Sequence, residues 1–134
     1  MVGSCTPHNQ CNTYHLKFKK VRTCLFTTNV NAQIVLEAWS FFEGTPLTIY
    51  ILDPFGSLID KRLGRDFDKG ESFQVAIEAG SFFAAEQRGP GEFTLVGCTV
   101  APGFEHEDME IAGRAELLAK YPQHRGVIEK FTLP

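Results

Sequence analysis

Three groups of residues have types and spacings that could support chemistry. Glu37, Trp39 and Phe41 alternate, so in an extended segment they share one face of a strand. On a pocket wall, Trp39 and Phe41 would stack a ring or a sugar, and Glu37 would accept a hydroxyl or a proton. Core packing with Glu37 at the rim explains the same pattern equally well. The second group, Cys5, His8, Cys11 and His15, has donors suited to tetrahedral zinc. Its spacing fits no known zinc module, so chance clustering is the preferred account. The third is GCTVAPGFEHEDMEIA, from Gly97 to Ala112. Here a strand-like run meets Pro102-Gly103 and then the acids Glu105, Glu107, Asp108 and Glu110 around His106. The simplest reading is a sharp corner followed by an outer edge strand whose charges face water and discourage edge pairing. The other is the mouth of a binding site, with His106 and Glu110 near a ligand.

Two single residues join these groups. Tyr50 is a candidate phenolic acid, although a lone Tyr on a strand more often packs. Cys98 is a candidate nucleophile, but its apolar run argues for an inert buried thiol.

Elements must exist to position such residues. The chain has 134 residues, of which 43% are hydrophobic, enough for a single domain with one core. The net charge of -3, with both signs interspersed, gives no nucleic-acid-binding field; the densest basic group is Lys17, Lys19, Lys20 and Arg22. No apolar run approaches membrane-spanning length, and the opening MVGSCTPHNQ lacks the apolar core of a secretory signal. The cysteines at 5, 11, 24 and 98 read as reduced thiols, consistent with a cytoplasmic protein. Cys24 and Cys98, in apolar runs, read as small buried hydrophobes.

Residues 1–15 are polar and aperiodic and predict a flexible tail, leaving 16–134 as a single domain. Strands are expected near 14–20, 22–28, 32–37, 38–43, 46–52, 57–63, 72–78, 81–86, 92–100 and 104–111. Turn signals separate them at Glu43-Gly44-Thr45-Pro46, Asp53-Pro54-Phe55-Gly56, Asp68-Lys69-Gly70-Glu71, Ala79-Gly80 and Arg88-Gly89-Pro90-Gly91. Their short, even spacing predicts an all-β sandwich or barrel. The 12 phenylalanines include the pairs Phe41-Phe42 and Phe82-Phe83, and a paired strand residue sends one ring to each face. Helix signals come only at the end: 113–121, stopped by Pro122, and a short segment over 123–131 with Val127, Ile128 and Phe131 on one side.

Several blocks, in order, carry a resemblance: Trp39 to Leu47 (WSFFEGTPL), Leu52 to Leu58 (LDPFGSL), Leu95 to Phe104 (LVGCTVAPGF), Glu107 to Glu110, and Tyr121 to His124. From about residue 22 to 130 the chain resembles a small uncharacterised branch of the cupin superfamily. The resemblance implies a double-stranded β-helix, a jelly-roll barrel with one open mouth, short C-terminal helices and a homodimer. Its members are similar in shape to sugar-nucleotide 3,5-epimerases.

The histidines of the family's motifs are missing. Glu37 fits the glutamate of the first motif, seven residues before Gly44, but the histidine after the tryptophan is Ser40. No histidine lies between 16 and 105, and Asn31 is the nearest polar residue to the upstream position. In the second motif, Glu78-Ala79-Gly80-Ser81-Phe82-Phe83, the histidine is Phe83. A transition metal wants several N/O/S ligands, and a phenyl ring supplies none, so no metal and no cofactor are expected.

The expected site is therefore a pocket of Glu37, Trp39, Phe41, Gln74 and Phe82 that binds a small polar or sugar-like molecule. An alternative is an isomerase or epimerase with Glu37 as base and Tyr50 as acid. A further alternative is a degenerate barrel kept for dimerisation or partner binding. Neither nucleic acid nor membrane is an expected partner.

Overall fold

The computed structural model describes residues 12–19, 23–29, 36–87, 89, 91, 93–101 and 109–134. Among the described residues, ten strands precede two short helices: β1 (Asn12–Lys19), β2 (Thr23–Asn29), β3 (Leu36–Gly44), β4 (Leu47–Leu52), β5 (Leu58–Leu63), β6 (Glu71–Ser72), β7 (Gln74–Glu78), β8 (Phe82–Gln87), β9 (Phe93–Ala101), β10 (Met109–Ile111), α1 (Arg114–Lys120) and α2 (Arg125–Lys130). They form a four-stranded sheet, β1-β9-β3-β7, and a six-stranded sheet, β10-β2-β8-β4-β5-β6.

Period-2 alternation decides what each strand buries. Trp39 and Phe41 of β3, Val75 and Ile77 of β7, and Val96, Cys98 and Val100 of β9 meet Leu47, Ile49 and Ile51 of β4, Leu63 of β5, and Phe83 and Ala85 of β8. These fill the space between the sheets, the interior of the jelly roll. Leu52, Phe82 and Ala84 point the other way and pack under Leu117, Tyr121, Ile128 and Phe131 of the C-terminal helical segment. The outer face of β4 and β8 is thus covered, and β8 reads as buried on both sides, whereas β5 stays largely exposed.

Several boundaries differ from the expectation. Segments 32–37 and 38–43, read as two strands, meet in a single strand that begins at Leu36; residues 30–35 lie outside the described residues. The stretch 72–78 is two strands, because the chain changes sheet at Phe73. β6 pairs in parallel with β5, β7 pairs with β3, and the Phe73 carbonyl accepts the Phe41 N–H at 2.7 Å. Residues 12–15, expected in the tail, belong to a strand. β1 opens at Asn12 and pairs antiparallel with β9, with Tyr14 opposite Cys98. Polar composition did not reveal this pairing, because backbone hydrogen bonds to a neighbouring strand are independent of side-chain type. The segment with Cys5, His8 and Cys11, and the run from Pro102 to Asp108, lie outside the described residues. The end of that run, β10, is an edge strand beside β2, and Glu110 on it is exposed.

Turn chemistry fixes the corners. Asp53 Oδ1 accepts the N–H groups of Phe55 and Ser57, each at 2.9 Å, which builds the tight β4–β5 connection. Gly44 ends β3 with φ +99°, and a Cβ there would lie 2.1 Å from the Phe93 carbonyl oxygen. Only glycine fits that crossing of two backbones.

Candidate functional site

The strand registers define the two ends of the barrel. Leu36 lies opposite Glu78 and Ala101, and Leu52 lies opposite Phe82 and Leu58. The start of β3, the ends of β4, β7 and β9, and the starts of β5 and β8 therefore share one end. Glu37 sits one residue inside it. The opposite end is tied off by Gly44, Thr45 and Phe93, where the Thr45 N–H donates to Phe93 O at 2.8 Å.

Glu37 is 2% exposed and faces the interior. Its Oε1 accepts two hydrogen bonds, from the Trp39 indole N–H at 2.8 Å and from the Cys98 thiol at 3.0 Å. The geometry follows from local sequence. Glu37 and Trp39 are two apart on β3, and Trp39 is the register partner of Cys98 on β9, so all three side chains share one face. Phe83 closes on Trp39 edge-to-face with ring centroids 6.0 Å apart, and the Arg65 guanidinium lies 5.7 Å from the Phe41 ring centroid. A carboxylate in such apolar surroundings needs donors, and the cluster supplies them.

The structure brings together only part of the expected pocket. Glu37, Trp39 and Phe41 do share the inner face. Gln74 does not: it is exposed on the outer side of β7 and donates to Ser40 Oγ at 3.1 Å. The alternation Gln74-Val75-Ala76-Ile77-Glu78 turns the two aliphatic residues inward and Gln74 outward. Phe82 also lies outside the barrel interior, under α1, with its ring 6.2 Å from that of Tyr121. The inward member of the pair is Phe83. The motif alignment already held that signal, since it put Phe83 in the place of an interior histidine. Tyr50, the expected acid, is on the outer face of β4, 5.0 Å ring-to-ring from Phe131. It lines a groove of about 280 Å³ with Thr48, Asp60 and Arg62. A sheet thus separates Tyr50 from Glu37, and the two cannot act on one substrate as base and acid. Sequence reasoning missed the Cys98 contact with Glu37, because only the β3–β9 register reveals it.

Cupin folds imply a metal, and the donors among the described residues do not fit one. Inside the barrel Glu37 and Cys98 are the candidate ligands among the described residues, and no group of three His, Cys, Asp or Glu side chains gathers there. Two donors that already bond to each other fall short of a transition-metal set.

At the same end of the barrel lies a cleft of about 340 Å³ between β5 and β7, bounded by Ile51, Asp53, Pro54, Phe55, Ile59, Lys61, Ala76, Glu78 and Ser81. The turn 53–57 that forms one lip is held from behind by the helical segment. Tyr121 Oη donates to Asp53 O at 3.1 Å, Gln123 Nε2 donates to Gly56 O at 3.2 Å, and His124 Nε2 contacts that same oxygen at 2.8 Å.

Comparison with known proteins agrees with this architecture. A family described as Cupin superfamily (DUF985) matches residues 23–112. A Shewanella oneidensis protein of known crystal structure is 33% identical over 98% of this chain and 81% of its own, with a TM-score of 0.85. A hypothetical protein from Leishmania major is 24% identical over 92% of this chain and 77% of its own, with a TM-score of 0.84. A dTDP sugar isomerase from Desulfovibrio desulfuricans has the same fold at 14% identity, with a TM-score of 0.63 over 75% of this chain and 63% of its own. No curated protein matches the sequence. On the family match, the relatives and the double-stranded β-helix, the chain belongs to the cupin superfamily, within the DUF985 family.

Proposed function

We propose that this protein binds a small polar, sugar-like molecule at the open end of its barrel, without a metal. The observation that carries the reading is the Glu37 carboxylate, set one residue inside that end and oriented by Trp39 and Cys98. A fixed carboxylate accepts hydroxyl donors; Glu37 and Trp39 are both 2% exposed, so a ligand that reaches them must part the side chains packed over that end. The sugar isomerase of the same fold supports the ligand class. The displacement of Tyr50 removes the acid of the epimerase reading, so binding is favoured over turnover. A homodimer belongs to the same proposal, supported by the exposed rings of Phe42, Phe67 and Phe73, and sedimentation velocity tests it.

The ligand test is a thermal-shift panel of sugars, sugar phosphates and nucleotide sugars on wild-type and Glu37→Gln protein. A ligand at a hundred times its Kd stabilises the fold by about 2.7 kcal/mol, which is readily seen as a raised Tm. The expected result is a shift in wild type that Glu37→Gln loses. A panel that shifts nothing, or a shift retained in Glu37→Gln, overturns the reading.

A further inference from the structure

The cleft between β5 and β7 lies outside the interior that holds Glu37, and its form follows from the sheet-switch at Phe73. β5 runs from Leu58 at the open end towards Leu63, where β6 pairs with it at Arg62 and Leu63. The chain then crosses at Phe73, and β7 runs back to Glu78 at the open end, paired with β3. No ladder joins β5 to β7 among the described residues, so the two strands adjoin where β5 ends and β7 begins and diverge towards Leu58 and Glu78. Edge N–H and C=O groups of both strands are left facing the gap.

The side chains around this gap are of opposite kinds. Lys61 from β5 and Glu78 from β7 both line it, and neither has an ion-pair or hydrogen-bond partner among the described residues. Ser81, 4% exposed, adds a hydroxyl with no partner among them. Asp53 also borders the cleft, but its Oδ1 is committed to the N–H groups of Phe55 and Ser57. The remaining wall is apolar. Phe55 forms the lip with 94% of its surface exposed, and Ile59 beside it is 38% exposed. The volume of about 340 Å³ lies at the small end of the roughly 300–1,000 Å³ of ligand pockets.

We propose that this cleft binds a small zwitterion with an apolar side chain, the α-amino acid class. The ligand carboxylate lies on Lys61 and the edge N–H groups, its ammonium on Glu78 and the Ser81 hydroxyl, and its side chain under Phe55 and against Ile59. An unpaired cation and anion on opposite walls match a ligand that carries both charges. The helical segment matters here because Tyr121, Gln123 and His124 hold the turn that presents Phe55.

The experiment titrates the full chain with L-phenylalanine by isothermal calorimetry and two-dimensional NMR. Binding is expected, with amide shifts concentrated at residues 53–61 and 76–81. Hydrocinnamate lacks the ammonium and phenethylamine lacks the carboxylate, and each should bind about tenfold more weakly. Lys61→Met and Glu78→Gln should weaken phenylalanine to a similar degree, while Lys69→Gln on a distant loop leaves it unchanged. Both substituted cleft side chains are exposed, so the variants fold. No shifts at millimolar phenylalanine, equal affinity for either single-charge analogue, or affinity unaltered in Lys61→Met and Glu78→Gln would each overturn the proposal. None of these outcomes bears on the sugar panel, which reads Glu37.

Discussion

A carboxylate that is 2% exposed is tolerated only where donors meet it, and Glu37 meets two on a single oxygen. The contact works both ways, because the Trp39 indole N–H is also buried and Glu37 accepts its hydrogen bond. Replacing Trp39 by Phe keeps a ring and removes that donor. The expected loss is about 1–3 kcal/mol, read as a lower midpoint in urea with an unchanged slope. The alternation of Glu37, Trp39 and Phe41 was enough to place all three on one face. It could not say which of Phe82 and Phe83 joins them, because β8 is covered on both faces and a doubly buried strand shows no polar side to set the phase. Gln74 was misassigned for a different reason. A polar residue that suits a ligand equally suits water, and only the aliphatic character of Val75 and Ile77 marks which side is wet.

At the scale of elements, the corners carry the architecture. Gly44 combines φ +99° with a backbone approach that leaves a Cβ no room, whereas Gly70 at φ +77° has open space around it. Gly70→Ala should cost about 1 kcal/mol from backbone conformation alone. Gly44→Ala must also push apart β3 and the start of β9, so its loss should clearly exceed that of Gly70→Ala in the same urea series. If the two variants prove equally stable, the crossing is looser than its distances indicate. Turn signals in the sequence located both of these corners and the Asp53-Pro54-Phe55-Gly56 connection. They did not reveal the break at Phe73, where the chain leaves one sheet for the other in the middle of an apparently continuous strand. A change of sheet is a statement about partners, and partners are far away in sequence.

For the whole molecule, the jelly roll has two hydrophobic layers, one between the sheets and one under the helices. Phe131, fully buried, sits in the second layer beside Tyr50 and helps cover a strand face that would otherwise be exposed. Phe131→Ala should cost about 3–5 kcal/mol, measured by urea or thermal unfolding, which is a large share of the stability of a domain this size. The helical segment is thus part of the fold's second core as well as the support for the turn that carries Phe55. Among the described residues no helix is long and apolar enough to cross a membrane. The sequence by itself determined the all-β class, the corner positions, the C-terminal helices and the inward face of β3. These are set by periodicity and by turn residues, both of which act over a few neighbours. The pairing of Cys98 with Glu37, the separation of Tyr50 from Glu37 by a sheet, and the cleft between two diverging strands were decided only in three dimensions. Each depends on register between strands tens of residues apart, and register is chosen by the packing of the whole barrel.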